Sequence, residues 1–291
     1  MEAGGKRALH WLGSALAVAG AGFVILRLWD YGSDIELAKF EWPEWSLLGL
    51  LILAYAAANL FLALAWWKLL EHLGTTVSPR WATRAYGVSQ LAKYVPGNVV
   101  HFASRQAMGI AKGVPAWTLA KSTVLEMGLL TAAGGLYGLL VLHLLLPDLP
   151  AGVGTAIFAL ACSGTGLALW RYLGLAITQA FACQIGFLAV SGVVFMLLAG
   201  FLTAGMEDGQ SWWLVVGAFV LAWLAGLVTP GAPAGVGVRE LVLLFLLHGM
   251  ADEASLLLAV VLSRVVTVCG DLIFFAVAAL IRPGAATDKA G

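Results

Sequence analysis

Apolar residues in this chain run in long blocks, and the polar residues collect between them. A helix needs about 20 mostly apolar residues to cross a hydrocarbon core of about 30 Å. Blocks of that kind predict spans over residues 9–28, 47–67, 123–146, 153–170, 177–202, 213–228 and 254–281. The first resembles the basic and apolar regions of a signal peptide, but no small-residue cleavage site follows it, so it is read as a retained span. A shorter apolar helix is expected over 238–250. At about 20 Å it either thins its surroundings or enters and leaves on one side. The fold class that follows is an all-α polytopic membrane protein: one integral membrane domain over 1–291, with about eight transmembrane helices and broken or re-entrant Pro-Gly segments.

Composition points the same way. Hydrophobic residues make up 61% of the chain, charged residues 11%, and mean hydropathy is +0.93; a soluble domain carries about twice that charged fraction. The formal net charge of zero argues against nucleic acid as a partner, which would require a basic face. Cys162, Cys183 and Cys269 sit within apolar runs, where thiols act as small hydrophobes. The charges are unevenly distributed along the chain. Asp30, Asp34, Glu36, Glu41, Glu44, Asp148, Glu207, Asp208, Asp252 and Glu253 fall on one side of the expected spans with a single Lys39. Lys68, Arg80, Arg84, Lys93, Arg105, Lys112, Lys121, Arg171, Arg239 and Arg282 fall on the other, with Lys6, Arg7 and Lys289. By the positive-inside rule both termini face the cytoplasm, in the cell's cytoplasmic membrane, if the short helix counts as a span. Trp11, Trp29, Trp45, Trp66, Trp67, Trp170, Trp212 and Trp213 lie near span ends and read as headgroup anchors.

Two stretches break the helical rule. Residues 80–112 are too polar to span and too apolar for a solvated loop. Pro96 removes a backbone donor and Gly97 relaxes the chain, so a helix ending near Tyr94 breaks there and another starts after Asn98. The segment is either a re-entrant hairpin or a pair of interfacial helices. The second stretch, 227–240, carries Pro230, Gly231, Pro233, Gly235 and Gly237 just before the short helix, with Arg239 and Glu240 at its start. Glycines before a helix N-terminus expose N–H groups that can hold a phosphate; the alternative is a tight connection between spans. Arg239 favours the anion, and Glu240 must point elsewhere or pair with a cation.

The last span carries Arg264 and Asp271, two turns apart on one face. A charge at mid-membrane costs about 2.5–3.5 kcal/mol, so each is expected to pair with another helix, as a structural ion pair or as part of a polar pathway. Glu126 is a candidate partner for Arg264, Arg105 or Lys93. His101 and His248 are expected to satisfy local hydrogen bonds. No phosphate-binding GxxxxGK[ST] loop, HExxH or GxSxG occurs; neither a catalytic residue, a metal site nor a cofactor is expected, and the chain is read as not an enzyme.

The strings KYVPGNVVHFASR (93–105) and PGAPAGVGVRE (230–240) resemble signatures of the flippase-like transmembrane region of lysylphosphatidylglycerol synthases and its stand-alone relatives. The likeness follows span order over nearly the whole chain, with these two motifs its specific part. Ala232, Pro233 and Ala234 stand where that family more often has a glycine-rich run. The synthases add a C-terminal domain that transfers an aminoacyl group to lipid; this chain, ending at Gly291, is expected to be a stand-alone member without it. The resemblance implies translocation of a lipid with a polar, phosphate-linked headgroup, a phospholipid or polyprenyl-linked glycan precursor. Its partners would be membrane lipids and an envelope glycosyltransferase or lipid-modifying enzyme. The expected headgroup site comprises Lys93, Tyr94, Pro96, Gly97, Asn98, His101, Arg105, Glu126, Pro230, Gly231, Gly235, Gly237, Arg239, Glu240, Arg264 and Asp271. The rival readings are a non-transporting scaffold for an envelope glycosyltransferase and an ion or small-solute transporter.

Overall fold

The computed structural model describes residues 42–94, 100–146, 148–202, 212–229, 238–250 and 253–282, and among them the regular structure is helical, with no strand. The expected span 9–28 lies outside these residues, as do the centres of both Pro-Gly stretches, 95–99 and 230–237. We number the described helices α1 (Trp42–His72), α2 (Pro79–Gln90), α3 (Val100–Ala111), α4 (Ala116–Tyr137), α5 (Ala151–Leu173), α6 (Leu175–Leu202), α7 (Trp212–Val228), α8 (Val238–Leu246) and α9 (Glu253–Leu280). A 3-10 turn, Leu91–Tyr94, prolongs α2, and Gly138–Val141 with Leu142–Leu145 prolong α4. Five stretches are long and apolar enough to cross a membrane: Trp42–His72, Ala116–Leu144, Gly152–Leu173, Leu175–Leu202 and Leu258–Leu280. Helix α7 is a shorter apolar helix. Helix α8 stops at Leu246, about 13 Å from its start, well short of a crossing.

Local chemistry sets the turns. Ser78 caps α2 by accepting from Trp81 N at 3.3 Å, and Pro79 occupies the first helical position, where no donor is missed. Gly174, at φ 90°, lets α5 end and α6 begin in a single residue, its N–H donating to Leu169 O at 3.0 Å.

Helix α1 is the central post and packs against α2, α4, α6 and α9. It runs antiparallel to α6, with Leu69 beside Ile177 and the tilted rings of Tyr55 and Phe187 6.1 Å apart. Against α9 it approaches closely because Gly270 has no Cβ; one added there would lie 2.8 Å from Tyr55 Cδ1 and 3.1 Å from Ala56 N. Helix α5 has no buried residue and forms the rim.

The polar segment 80–112 does not lie flat across the bundle end. Arg84 donates to Ile281 O, Gly87 meets Ala278, and the Tyr94 hydroxyl donates to Asp271 Oδ2 at 2.5 Å. Each advance along α2 therefore matches a retreat along α9, taking the chain roughly 15 Å inward from the end of α9. Helix α3 then returns toward the start of α4, where Gly109 packs on Leu119. A second broken element comes from the opposite end. Helix α7 runs antiparallel to α6, with Trp212 on Gly200 and Phe219 stacked on Phe195 at 5.0 Å. Helix α8 folds back along it to meet α9 at Arg264. Among the described residues, Lys68, Arg80, Arg84, Lys112, Lys121, Arg171 and Arg282 gather at the end where α2 enters, and Glu44 and Asp148 at the other.

The Gly270 contact yields a stability test. Gly270→Ala places a methyl against the backbone of α1 and is expected to lower stability by about 1–3 kcal/mol. Gly49→Ala, with nothing within 4 Å, should not destabilise. Reversible unfolding in detergent micelles measures both; equal stabilities would contradict the α1–α9 packing.

Candidate functional site

The inner end of α2's 3-10 extension, the start of α8 and the buried charges converge. A cavity of about 80 Å³ lies in the middle of the bundle, walled by α1, α2, α3, α4, α6, α7, α8 and α9. Tyr94, the last described residue before the first interruption, and Arg239, close behind the second, both line it. So do Lys93, His101, Glu126, Arg264 and Asp271, together with Tyr55, Tyr86, Gln90 and Trp223. The volume holds several waters or one small polyatomic group. Among the described lining residues, His101, Phe102, Met127, Trp223 and Leu227 are only half-buried. Lys93 in the same lining is half-buried as well, so the cavity is partly open.

Three ion pairs organise the walls. Asp271, fully buried, accepts from Lys93 Nζ at 2.7 Å and from the Tyr94 hydroxyl, while Asn59 Nδ2 donates to its other oxygen at 3.3 Å. Gln90 Nε2 donates to Asn59 Oδ1 at 3.0 Å, extending this network to α2. Arg264 Nε donates to Glu240 Oε1 at 2.5 Å. Arg264 and Asp271 thus each pair with another element, and Glu240 answers the arginine of α9. The third pair is Arg105 with Glu126, in which both terminal nitrogens of the guanidinium meet the carboxylate oxygens. Tyr86 donates to Glu126 Oε1 at 3.0 Å, and Arg105 lies 4.5 Å from the Tyr86 ring centroid and 4.9 Å from that of Trp66.

These contacts revise several sequence expectations. Arg105 is not free to meet a ligand phosphate, because Glu126 and aromatic faces enclose it. Glu126 is the partner of Arg105, not of Arg264 or Lys93. Glu240 and Arg105 stand behind the cavity wall; neither lines it. Buried His101 Nδ1 finds no hydrogen-bond partner among the described residues, against the local bond expected for it. Trp66 is no headgroup anchor: it is 1% exposed, and its indole N–H donates to Ser122 Oγ at 3.2 Å. The expected site residues Pro96, Gly97, Asn98, Pro230, Gly231, Gly235 and Gly237 lie outside the described residues. Sequence reasoning passed over Asn59, Gln90, Tyr55, Tyr86 and Trp223. Asn59 carried a signal, a lone amide inside an apolar block, since such groups need a partner in hydrocarbon.

Arg239 differs from the other buried cations. It is 6% exposed, and no carboxylate pairs with it among the described residues. Its Nε has no hydrogen-bond partner among the described residues, and its guanidinium lies 5.7 Å and 6.0 Å from the Phe219 and Trp223 ring centroids. A cation desolvated without a counter-charge is costly, and the cavity is the open space beside it. No group of three His, Cys, Asp or Glu among the described residues could hold a metal ion.

No family model matches this chain, and no curated protein matches it.

The Arg105–Glu126 pair makes a second testable point. Glu126→Gln leaves a buried guanidinium uncompensated and is expected to cost about 3–5 kcal/mol, whereas the apolar double replacement Arg105→Met with Glu126→Leu should recover most of that loss. Unfolding in micelles compares the two; a double variant no more stable than Glu126→Gln would indicate that the pair's role exceeds charge balance.

Proposed function

We propose that this protein is an integral membrane translocator of a lipid with a phosphate-linked headgroup, working as a flippase-like device. The observation that carries this reading is Arg239: a cation buried beside a mid-bundle cavity, with no carboxylate partner among the described residues. An anionic headgroup supplies the missing charge, and the N-terminus of α8 adds positive potential at the same place. Apolar residues that share the lining, Leu62, Leu130, Phe187 and Leu227 among them, favour a lipid over a water-soluble solute.

In this mechanism the two broken elements act as opposed gates. The α2–α3 element enters from the basic end, and α7–α8 from the other. Each is fastened to α9 by one ion pair, Lys93–Asp271 or Glu240–Arg264. Parting one pair while the other holds admits the headgroup from one leaflet only. The basic end faces the cytoplasm by the positive-inside rule. With 9–28 and the α8 region counted as spans there are eight, and both termini lie on that side of the cytoplasmic membrane. The likeness of residues 93–105 and 230–240 to the synthases' flippase-like region agrees with this reading.

Scrambling of a fluorescent anionic phospholipid in proteoliposomes tests it. Arg239→Gln is expected to slow transfer by at least about tenfold, since a lost charged hydrogen bond is worth about 1.5–3 kcal/mol. Gly49→Ala should match the unaltered protein. Rates unchanged by Arg239→Gln would remove the headgroup role of this cavity.

A further inference from the structure

The charges around the cavity can be counted, and the count constrains the ligand. Four buried or half-buried cations, Lys93, Arg105, Arg239 and Arg264, face three carboxylates, Glu126, Glu240 and Asp271. Histidine taken as neutral, the described site carries one positive charge in excess. Residues 95–99 and 230–237 contain no ionisable residue. Each carboxylate is already joined to a cation at hydrogen-bond distance. The excess therefore resides on Arg239.

We infer that the cavity is matched to one negative charge, and that its ligand is a lipid-borne phosphodiester, not a phosphomonoester or a diphosphate. This rests on the headgroup reading above and narrows it to a charge class. A phosphodiester is a monoanion; placed against Arg239 it brings the buried charge to zero. A dianion leaves one negative charge uncompensated in a low-dielectric interior, or must pull Lys93 from Asp271 or Arg264 from Glu240, stranding a carboxylate. Phospholipids of the phosphatidyl type and polyprenyl monophosphate sugars belong to the accepted class. Polyprenyl diphosphate sugars fall outside it.

The test is calorimetric titration of the full chain in detergent with four probes. Dihexanoyl-phosphatidylglycerol is the monoanion, and dihexanoyl-phosphatidic acid at about pH 8.5, above its second ionisation, is the dianion. Dihexanoylglycerol carries no charge, and glycerophosphoglycerol is the same phosphodiester without tails. The monoanionic lipid should bind at least about tenfold more tightly than the dianion. Asp271→Asn raises the excess to two charges and should reverse that preference. The double variant Lys93→Met with Asp271→Asn returns the excess to one and should restore it. If Asp271→Asn does not fold, the preference of the unaltered protein and of the double variant decides. Dianion binding equal to or tighter than the monoanion's in the unaltered protein overturns the charge match but leaves an anionic headgroup site standing. Dihexanoylglycerol binding as tightly as phosphatidylglycerol overturns the headgroup reading itself. Glycerophosphoglycerol binding as tightly as the lipid assigns the site to a soluble phosphodiester and overturns the lipid source.

Discussion

Charge buried in an apolar bundle must be answered by charge, and α9 is where this protein meets that demand. Arg264 and Asp271 are both buried, roughly 10 Å apart along the helix. Each reaches a different broken element: Asp271 holds Lys93 and Tyr94 at the end of the α2 segment, and Arg264 holds Glu240 at the start of α8. A single helix thereby registers two chain breaks that enter from opposite ends.

The cavity follows from the same constraint. Two helical elements that end within the bundle leave space between their ends, and the polar groups around that space need partners. Asn59 and Gln90 extend the Asp271 network, and Tyr86 completes the Glu126 carboxylate. Enclosed by Trp66, Tyr86 and Phe102, the Arg105–Glu126 pair ties α3 to α4 and forms a rigid wall. Buried ion pairs add little net stability, because desolvation offsets their attraction; they fix which helices meet and in what register. Arg239 alone among these cations lacks a carboxylate within the described residues, which gives the wall a chemical preference.

The architecture divides stability from movement. Helices α1, α4 and α6 pack through apolar side chains and close glycine contacts that do not depend on charge. The α2–α3 and α7–α8 elements each add a polar contact to α9 near their inner ends, Lys93–Asp271 and Glu240–Arg264. Such contacts can be exchanged for contacts to a ligand, whereas Gly270 against the backbone of α1 cannot slide without a clash.

Length and hydropathy were enough to place the long helices, because a spanning segment carries its own signal in about 20 residues. The ends of α5 and α6 lie within a few residues of the expected spans. The described ends on either side of the two Pro-Gly stretches, at Tyr94 and Val100 and at Val228 and Val238, were legible for an equally local reason, since proline and glycine act on their own backbone. The need of Arg264 and Asp271 for partners was legible too. Their partners were not. Lys93 is separated from Asp271 by most of the chain, and which of several cations answers Glu126 depends on how α3 lies against α4. Trp66 looked like an anchor because it stands near the end of an apolar block; the inward approach of α2 and α3 buried it. The sequence by itself determined where the chain is apolar, where it breaks and which charges need an answer, all being properties of neighbouring residues. Tertiary structure alone decided which charges answer one another, and that Arg239 is left over, because pairing depends on distances between helices far apart in sequence.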